Sequence, residues 1–388
     1  MSQTITDMQS CSVDQRPPSL EDAEDIKLAV QDRVVVAMSG GVDSSVTAGI
    51  LAGEGYDAVG IAMRLYSTPQ ESYTKSCCSP DDLFDARTVA DSLSIPFYVA
   101  NYEDAFRERV IEYFVSEYRR GRTPNPCVAC NDHLKFDILL QRSLALGASY
   151  LATGHFARID RSGEVPKLLR GVDRNKDQSY FLFGLPREAL GRILFPLGGM
   201  TKDEVRDIAR TMGLETAEKA ESQEICFVGG GDYKAFVAKL LSEQERTPGR
   251  IMTSSGEVLG EHDGIHNFTV GQRRGLGLSY HEPLYVKAIR PEDGTVIVGG
   301  RDELAARGLV AERCNWLSFD RPNGPIECQV KIRYAGEPVP CLLTVGADPT
   351  TAFVEFEESQ RAVTPGQAAV FYQGEEVLGG GWIEEPRS

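Results

Sequence analysis

No run of eighteen or more apolar residues occurs in this chain, so no membrane-crossing helix is expected. Histidine is scarce: the five present form no pattern with serine and carboxylate that would suggest a hydrolase triad. Basic residues are outnumbered, 41 Lys and Arg against 57 Asp and Glu, and the formal net charge is −16. Broad nonspecific nucleic-acid binding is thereby disfavoured, and any RNA site must be a local basic patch on an acidic body. No internal repeat is evident. Residues 1–28 hold Pro17-Pro18 and the acidic run EDAED but lack the apolar region of a signal peptide, and are read as a disordered extension. The nine cysteines, in a chain of cytoplasmic character, suggest thiol chemistry or metal binding rather than a disulfide framework.

One stretch has hydroxyls and glycines in place of bulk. AMSGGVDSS follows the β-branched run RVVVAM and precedes Val46, Ile50 and Leu51 at helical spacing. Strand, tight turn and helix N-terminus together form an anion cradle, with unpaired N–H groups and partial positive charge. Gly40 and Gly41 allow close approach of a ligand, while Ser39, Ser44 and Ser45 add hydroxyl donors. The lysine of GxxxxGK(S/T) is missing, and GxGxxG does not fit. The match is to the SGGxDS pyrophosphatase loop (PP-loop), which holds the pyrophosphate end of ATP. Asp43 is then expected to face Mg2+. A plain Gly-Gly turn with a serine cap is the alternative.

Strand and helix patterns alternate through the first half. YDAVGIAMRLY and PFYVAN read as strands, SPDDLFDARTVADSL as a helix capped by Ser79 with Pro80 at its first position, and EDAFRERVIEYFVSEYRR as an amphipathic helix. A further helix near HLKFDILLQRSLALG leads to the strand SYLATG. This order predicts an α/β fold with a doubly wound parallel sheet, and ligands beyond the carboxyl ends of its strands. From about residue 220 the chain turns glycine-rich, and from about residue 300 short β runs recur, as in an antiparallel barrel or sandwich. The expected divisions are 1–28 (extension), 29–222 (ATP-binding catalytic domain), 223–299 (central linker domain) and 300–388 (β-barrel).

Cys127 and Cys130 lie in GRTPNPCVACNDHLKF, between two helices and just after Arg119, Arg120 and Arg122, whose charge would favour thiolate or contact phosphate. Arg273 and Arg274 form a second local basic cluster. Cys226, in ESQEICFVGG, could approach the first pair. The alternatives are half a structural zinc site at Cys127, Cys130 and His133, and an inert buried thiol at Cys226. Cys314, Cys328 and Cys341 sit in β runs, Cys11 lies in the tail, and Cys77-Cys78 adjoin a helix cap without an assignable role.

SGGVDSS, CCSPDDLFDAR, GRTPNPCVACNDHLKF, ATGHFAR, DRNKDQSYFL, ICFVGGGDYKAF, TVGQRRGLG, KIRY and TPGQAAVFY together resemble the tRNA-specific 2-thiouridylase family, from about Arg33 to Trp382. The resemblance implies a PP-loop (adenine nucleotide alpha hydrolase-like) domain, a small central tRNA-binding domain and a C-terminal β-barrel. It implies thiolation of C2 of the wobble uridine, with ATP and Mg2+, releasing AMP and pyrophosphate. Ala37, Met38, Ser39, Gly40, Gly41, Val42, Asp43 and Ser44, with Met63 and Gly154, match the nucleotide site. Cys130 matches the nucleophile and Cys226 the persulfide-bearing cysteine. Asn125, Pro126 and Cys127 face the target base, and His155, Lys176, Asp177, Gln178, Arg333, Tyr334 and Gln367 align with tRNA contacts. The implied partners are tRNA and a persulfide-donating sulfur carrier or cysteine desulfurase, with no membrane. One departure stands out: related sequences often carry aspartate at the position of Cys127. Cys127, Cys130 and Cys226 could therefore hold a 4Fe-4S cluster with an open iron site.

A C2 carbonyl is a poor electrophile and its oxygen a poor leaving group, so adenylation must precede attack by sulfur. Two other functions explain less of the sequence. A PP-loop enzyme acting on a small metabolite accounts for the loop but not for the cysteines or the barrel. A non-catalytic, nucleotide-gated RNA-binding protein with a zinc knuckle requires no adenylation.

Overall fold

The computed structural model describes residues 32–66, 79–221, 225–228, 232–243, 245–320, 322 and 324–388. The 1–28 extension, Cys11 and Cys77-Cys78 lie outside the described residues.

The run RVVVA forms β1 (Arg33–Ala37), whose three valines are almost wholly buried. A continuous apolar run of this kind belongs in a sheet covered on both faces. The chain continues through α1 (Val42–Gly53), β2 (Asp57–Arg64), α2 (Pro80–Ser92) and β3 (Phe97–Asn101). α2 begins as its residues dictate: the Ser79 hydroxyl accepts from Asp82 N, the Asp82 carboxylate accepts from Ser79 N, and Pro80 opens the helix. Next comes α3, made of Glu103–Phe106, a π-helical stretch Arg107–Ile111 and Glu112–Arg119. α4 follows with Pro126–Cys130, a second π stretch Asn131–Leu139 and Leu140–Ala145. β4 (Tyr150–Ala152), the hairpin β5 (Ala157–Asp160) and β6 (Lys167–Arg170), β7 (Ile193–Leu194) and α5 (Lys202–Thr211) complete this part.

The parallel sheet has the order β3-β2-β1-β4-β7. From β1 the chain steps outward to β2 and β3, then returns to the other side of β1 as β4. The order reverses between β1 and β4, and a crevice at their carboxyl ends is where such sheets bind ligands.

A short helix, α6 (Tyr233–Leu240), leads to a mixed four-stranded sheet: β8 (Gly249–Thr253), β9 (Val258–His262), β10 (Tyr285–Arg290) and β11 (Thr295–Gly299) in the order β10-β11-β8-β9. The last part comprises β12 (Ala305–Trp316), β13 (Ile326–Lys331), β14 (Val339–Val345), β15 (Ala352–Arg361), β16 (Ala368–Gln373) and β17 (Glu376–Arg387). Their order is β12-β15-β14-β13-β16-β17, and β12 also pairs with β17. The sheet closes on itself, so of barrel and sandwich it is the barrel. The β5–β6 hairpin, from the first half of the chain, adds to β17 beside it.

Barrel and catalytic half are pinned at the turn before the cysteines. Thr123 N donates to Pro365 O at 2.9 Å, and Gln367 Nε2 donates to Thr123 O at 2.9 Å and Pro124 O at 3.2 Å. Arg122 was expected at a thiolate or a phosphate. Instead its guanidinium is 11% exposed and paired with Glu117 (2.8 Å) and with Glu384 of β17. Arg122→Ala leaves the Glu117 carboxylate, which is 3% exposed, with only the exposed Arg120 at 3.8 Å, and is expected to lower stability by about 3 kcal/mol. Chemical denaturation of this variant beside Arg122→Met/Glu117→Leu checks it, because removing both charges should recover most of the loss.

Candidate active site at the carboxyl edge of the parallel sheet

A cavity of about 360 Å³ opens where β1, β2 and β4 end. One end is lined by Ala37, Met38, Ser39, Asp43 and Ser44, with Met63 and Gly154 beside them. Gly40 takes φ +74, and a Cβ there would lie 2.1 Å from the Asp82 carbonyl oxygen. A Cβ on Gly154 would lie 2.8 Å from the Asp43 carbonyl carbon, so the loop after β4 packs flush on the first turn of α1.

The hydroxyls are used differently from expectation. Ser45 Oγ donates to Gly41 O at 2.9 Å and its residue is fully buried, so it braces the loop instead of facing an anion. Ser44 Oγ donates to Gly41 O at 3.0 Å and accepts from Ser39 N at 3.1 Å. These bonds leave the Ser39 hydroxyl, which is exposed and lines the cavity, and the backbone N–H groups at the start of α1 as donors suited to an anion.

Charge comes from far along the chain. Lys202, the first residue of α5, reaches both Asp43 carboxylate oxygens at 2.7 and 2.9 Å and Glu221 at 3.0 Å. Lys176 holds the other Glu221 oxygen at 2.6 Å. Lys219 Nζ donates to Gly40 O at 3.0 Å and to Asp82 at 2.6 Å, and also meets Asp85, tying the loop to α2. Burial raises the Asp43 carboxyl above its ordinary range, against the pull of Lys202. Glu221, less buried and shared by two lysines, is held below its ordinary range despite desolvation.

The other end of the cavity carries Pro126, Cys127, Cys130 and Asn131 from α4, and Ile225, Cys226 and Phe227. Pro126 opens α4, and the i, i+3 spacing of Cys127 and Cys130 puts both on one helix face. Cys127 is exposed, while Cys130 and Cys226 are half-buried. Among the described residues, no three His, Cys, Asp or Glu side chains gather into a group able to hold a metal.

A family model described as tRNA methyl transferase HUP domain matches residues 32–230, one described as tRNA methyl transferase PRC-barrel domain matches 234–300, and one described as Aminomethyltransferase beta-barrel domain matches 306–383. The tRNA-specific 2-thiouridylase of Geobacter metallireducens is 53% identical over 362 residues, covering 91% of this chain and 96% of that protein. That of Solibacter usitatus is 50% identical, covering 90% and 99%, and that of Carboxydothermus hydrogenoformans 48%, covering 91% and 98%. The chain belongs to the tRNA-specific 2-thiouridylase family.

In this 2-thiouridylase-family chain the residues matched to tRNA contacts divide by position. His155 and Gln178 line the cavity. Gln178 Oε1 accepts from Phe156 N at 3.0 Å. Asp177 is 2% exposed and spent on Arg170, Gly171 N and Ser179 N, so its work is internal. Asn125 is buried at the start of α4, Gln367 grips the turn before it, and Lys176 pairs with Glu221. Tyr334 packs at a tilt against Phe181, a cavity residue, with ring centroids 4.5 Å apart, and Arg333 is exposed beside it. Lys135, Asn131 and Phe181 also line the cavity; they lie within GRTPNPCVACNDHLKF and DRNKDQSYFL, which gave them no individual role. Lys202 and Glu221 were missed because nothing local marks them.

His155 lies between the rings of Phe136 and Phe195, with Thr153 Oγ1 2.7 Å from Nδ1. Burial, helped by Lys135, pushes its pKa well below the ordinary 6.5. A depressed histidine stabilises the fold above its unfolded pKa and loses that contribution as pH falls below about 6.5. Melting of His155→Gln beside the unmutated protein from pH 7.5 to 5 should show a shallower acid loss in the variant. The difference should reach up to about 1.4 kcal/mol per pH unit.

Proposed function

We propose that this protein is an ATP-dependent tRNA-uridine 2-sulfurtransferase. The observation that carries the reading is one cavity with a pyrophosphatase loop at one end and Cys127, Cys130 and Cys226 at the other. A thiolation reaction needs activation of an oxygen and delivery of a sulfur to the same carbon, and a shared cavity allows both. The family models' names mention methyl transfer, but a methyl transfer requires neither a pyrophosphatase loop nor a set of thiols.

Residues 29–222, joined by Cys226 just beyond them, carry the chemistry, and the rest of 223–299 with 300–388 holds tRNA against it. The backbone N–H groups at the start of α1 bind the β- and γ-phosphates, while Met63 and Gly154 flank the nucleotide. Magnesium at nucleotide phosphates is commonly held by one or two carboxylates plus phosphate oxygens, and Asp43 fits as that carboxylate. When bound, the ion neutralises charge on the phosphates. The wobble uridine leaves its stack, as bases do when enzymes modify them, and enters between Tyr334, Phe181 and the cysteine helix. Its C2 oxygen attacks the α-phosphorus, and pyrophosphate departs against the loop donors. The terminal sulfur of a persulfide on Cys226 then attacks C2, and AMP leaves with the oxygen. Cys130 thiolate attacks Cys226 Sγ, and the sulfur–sulfur bond breaks with its electron pair staying on the sulfur at C2. The products are 2-thiouridine and a Cys130–Cys226 disulfide, which a dithiol reductant reopens. The persulfide is supplied by a sulfur carrier or cysteine desulfurase in the cytoplasm.

This route needs two thiolates and leaves Cys127 without a chemical step, whereas a 4Fe-4S route needs all three to converge. The test is anaerobic thiolation of unmodified tRNA with ATP, Mg2+ and a persulfide donor, using metal-free wild type and Cys127→Ala. Equimolar AMP, pyrophosphate and 2-thiouridine from both proteins is the expected result. No 2-thiouridine from either overturns the persulfide route. Activity that returns only with reconstituted iron and sulfide assigns the chemistry to a cluster.

A further inference from the structure

The glycine-rich loop has no lysine of its own, and a pyrophosphate carries several negative charges. We propose that Lys202 supplies the missing cation and contacts the pyrophosphate end of ATP; this rests on the PP-loop reading of residues 37–44. Lys202 comes from 159 residues further along the chain than its partner Asp43. It is 7% exposed, a rare state for lysine, and its ammonium sits over the Phe156 ring at 5.6 Å. Its backbone is fixed independently: Lys202 N donates to Asp173 Oδ2 at 3.0 Å, and Thr201 and Glu204 form a capping box around the start of α5.

The groups facing it form a balanced set. Asp43 and Glu221 are the carboxylates, and Lys202 and Lys176 the ammoniums. Only Asp43 of these lines the cavity. A divalent cation arriving with the nucleotide competes for the Asp43 oxygens that Lys202 occupies. Glu221 remains as the second anchor, so Lys202 stays at the loop with its remaining donors turned to phosphate. Charge-assisted bonds of this kind are strong and are felt by the phosphates, not by the nucleoside. A purely structural lysine would affect both ends of the nucleotide alike, through the shape of the loop.

The experiment is calorimetric titration of the full-length protein with inorganic pyrophosphate and, separately, with AMP, in the presence of Mg2+. Lys202→Met should bind pyrophosphate about tenfold to hundredfold more weakly and AMP within about twofold of wild type. Lys202→Arg should recover part of the pyrophosphate affinity. Lys202→Met/Glu221→Gln removes one charge of each sign; it should stay weak for pyrophosphate, and it decides the question if the single variant does not fold. Overturning results are pyrophosphate binding within about twofold of wild type in either methionine variant, or equal losses for both ligands. A wild-type protein that binds ATP but not pyrophosphate removes the PP-loop reading itself, a failure separable from one confined to Lys202.

Discussion

Cys226→Ser is expected to reduce 2-thiouridine formation by at least about a thousandfold while leaving tRNA-dependent release of pyrophosphate nearly intact. The split follows from the two ends of the cavity. Serine keeps the size and the hydrogen-bonding capacity of the side chain but cannot carry a persulfide, and Ser39, Asp43 and the start of α1 are untouched. Cys130→Ser should stop at the stage before resolution, with sulfur trapped between enzyme and base. Intact-mass analysis of the tRNA and the protein after one turnover distinguishes the two variants. If Cys226→Ser loses pyrophosphate release and thiolation in parallel, the cysteine is part of the fold of the site rather than the sulfur carrier.

The second large effect is expected at a residue with no side chain. Gly40→Ala places a Cβ 2.1 Å from the carbonyl oxygen of Asp82, at φ +74, where alanine is already disfavoured by about 1 kcal/mol. The obstacle is backbone at the start of α2, held by the Ser79 cap and by Lys219, so it cannot swing aside as a side chain would. The loop must move, and with it the N–H groups of α1. ATP affinity should fall about a hundredfold, and the melting temperature should drop several degrees. ATP binding within threefold of wild type would show that the cradle does not depend on this turn.

The parts of the site that are local in sequence were legible there. Strand, glycines and helix follow one another within AMSGGVDSS, and a proline at the first position of a helix with cysteines three apart needs no distant information. Ser79 and Pro80 start α2 for reasons visible in four residues. The electrostatics were not legible. Lys202 and Lys219 meet the loop from 159 and 179 residues away, and neither sits in a pattern that distinguishes it from a solvated surface lysine. Arg122 misled for the converse reason: proximity to cysteines in sequence suggested a thiolate, while Glu117 and Glu384 had prior claim in space. Recurring short β runs were readable in the last third, but closure depends on β12 meeting β17, a pairing no single run announces. The hydroxyls of Ser44 and Ser45 were read as donors because their type permits it, and only the loop geometry shows them folded back onto Gly41 O.

The hairpin that the catalytic half lends to the barrel bears on ancestry. It begins two residues after His155, and its second strand ends just before the turn carrying Lys176 and Gln178. Arg158, Lys167 and Arg174 all engage Glu375 or Glu376 at the tip of the last hairpin. A catalytic half without the barrel would carry β6 as an unpaired edge, along with Tyr180, whose hydroxyl donates to Ala368 O from a fully buried position. The two halves are therefore not cassettes that lineages could trade freely. A graft of a foreign barrel would have to bring a matching acidic tip and a matching carbonyl. Inheritance should accordingly keep the hairpin and the last strand together, with changes in one answered by changes in the other.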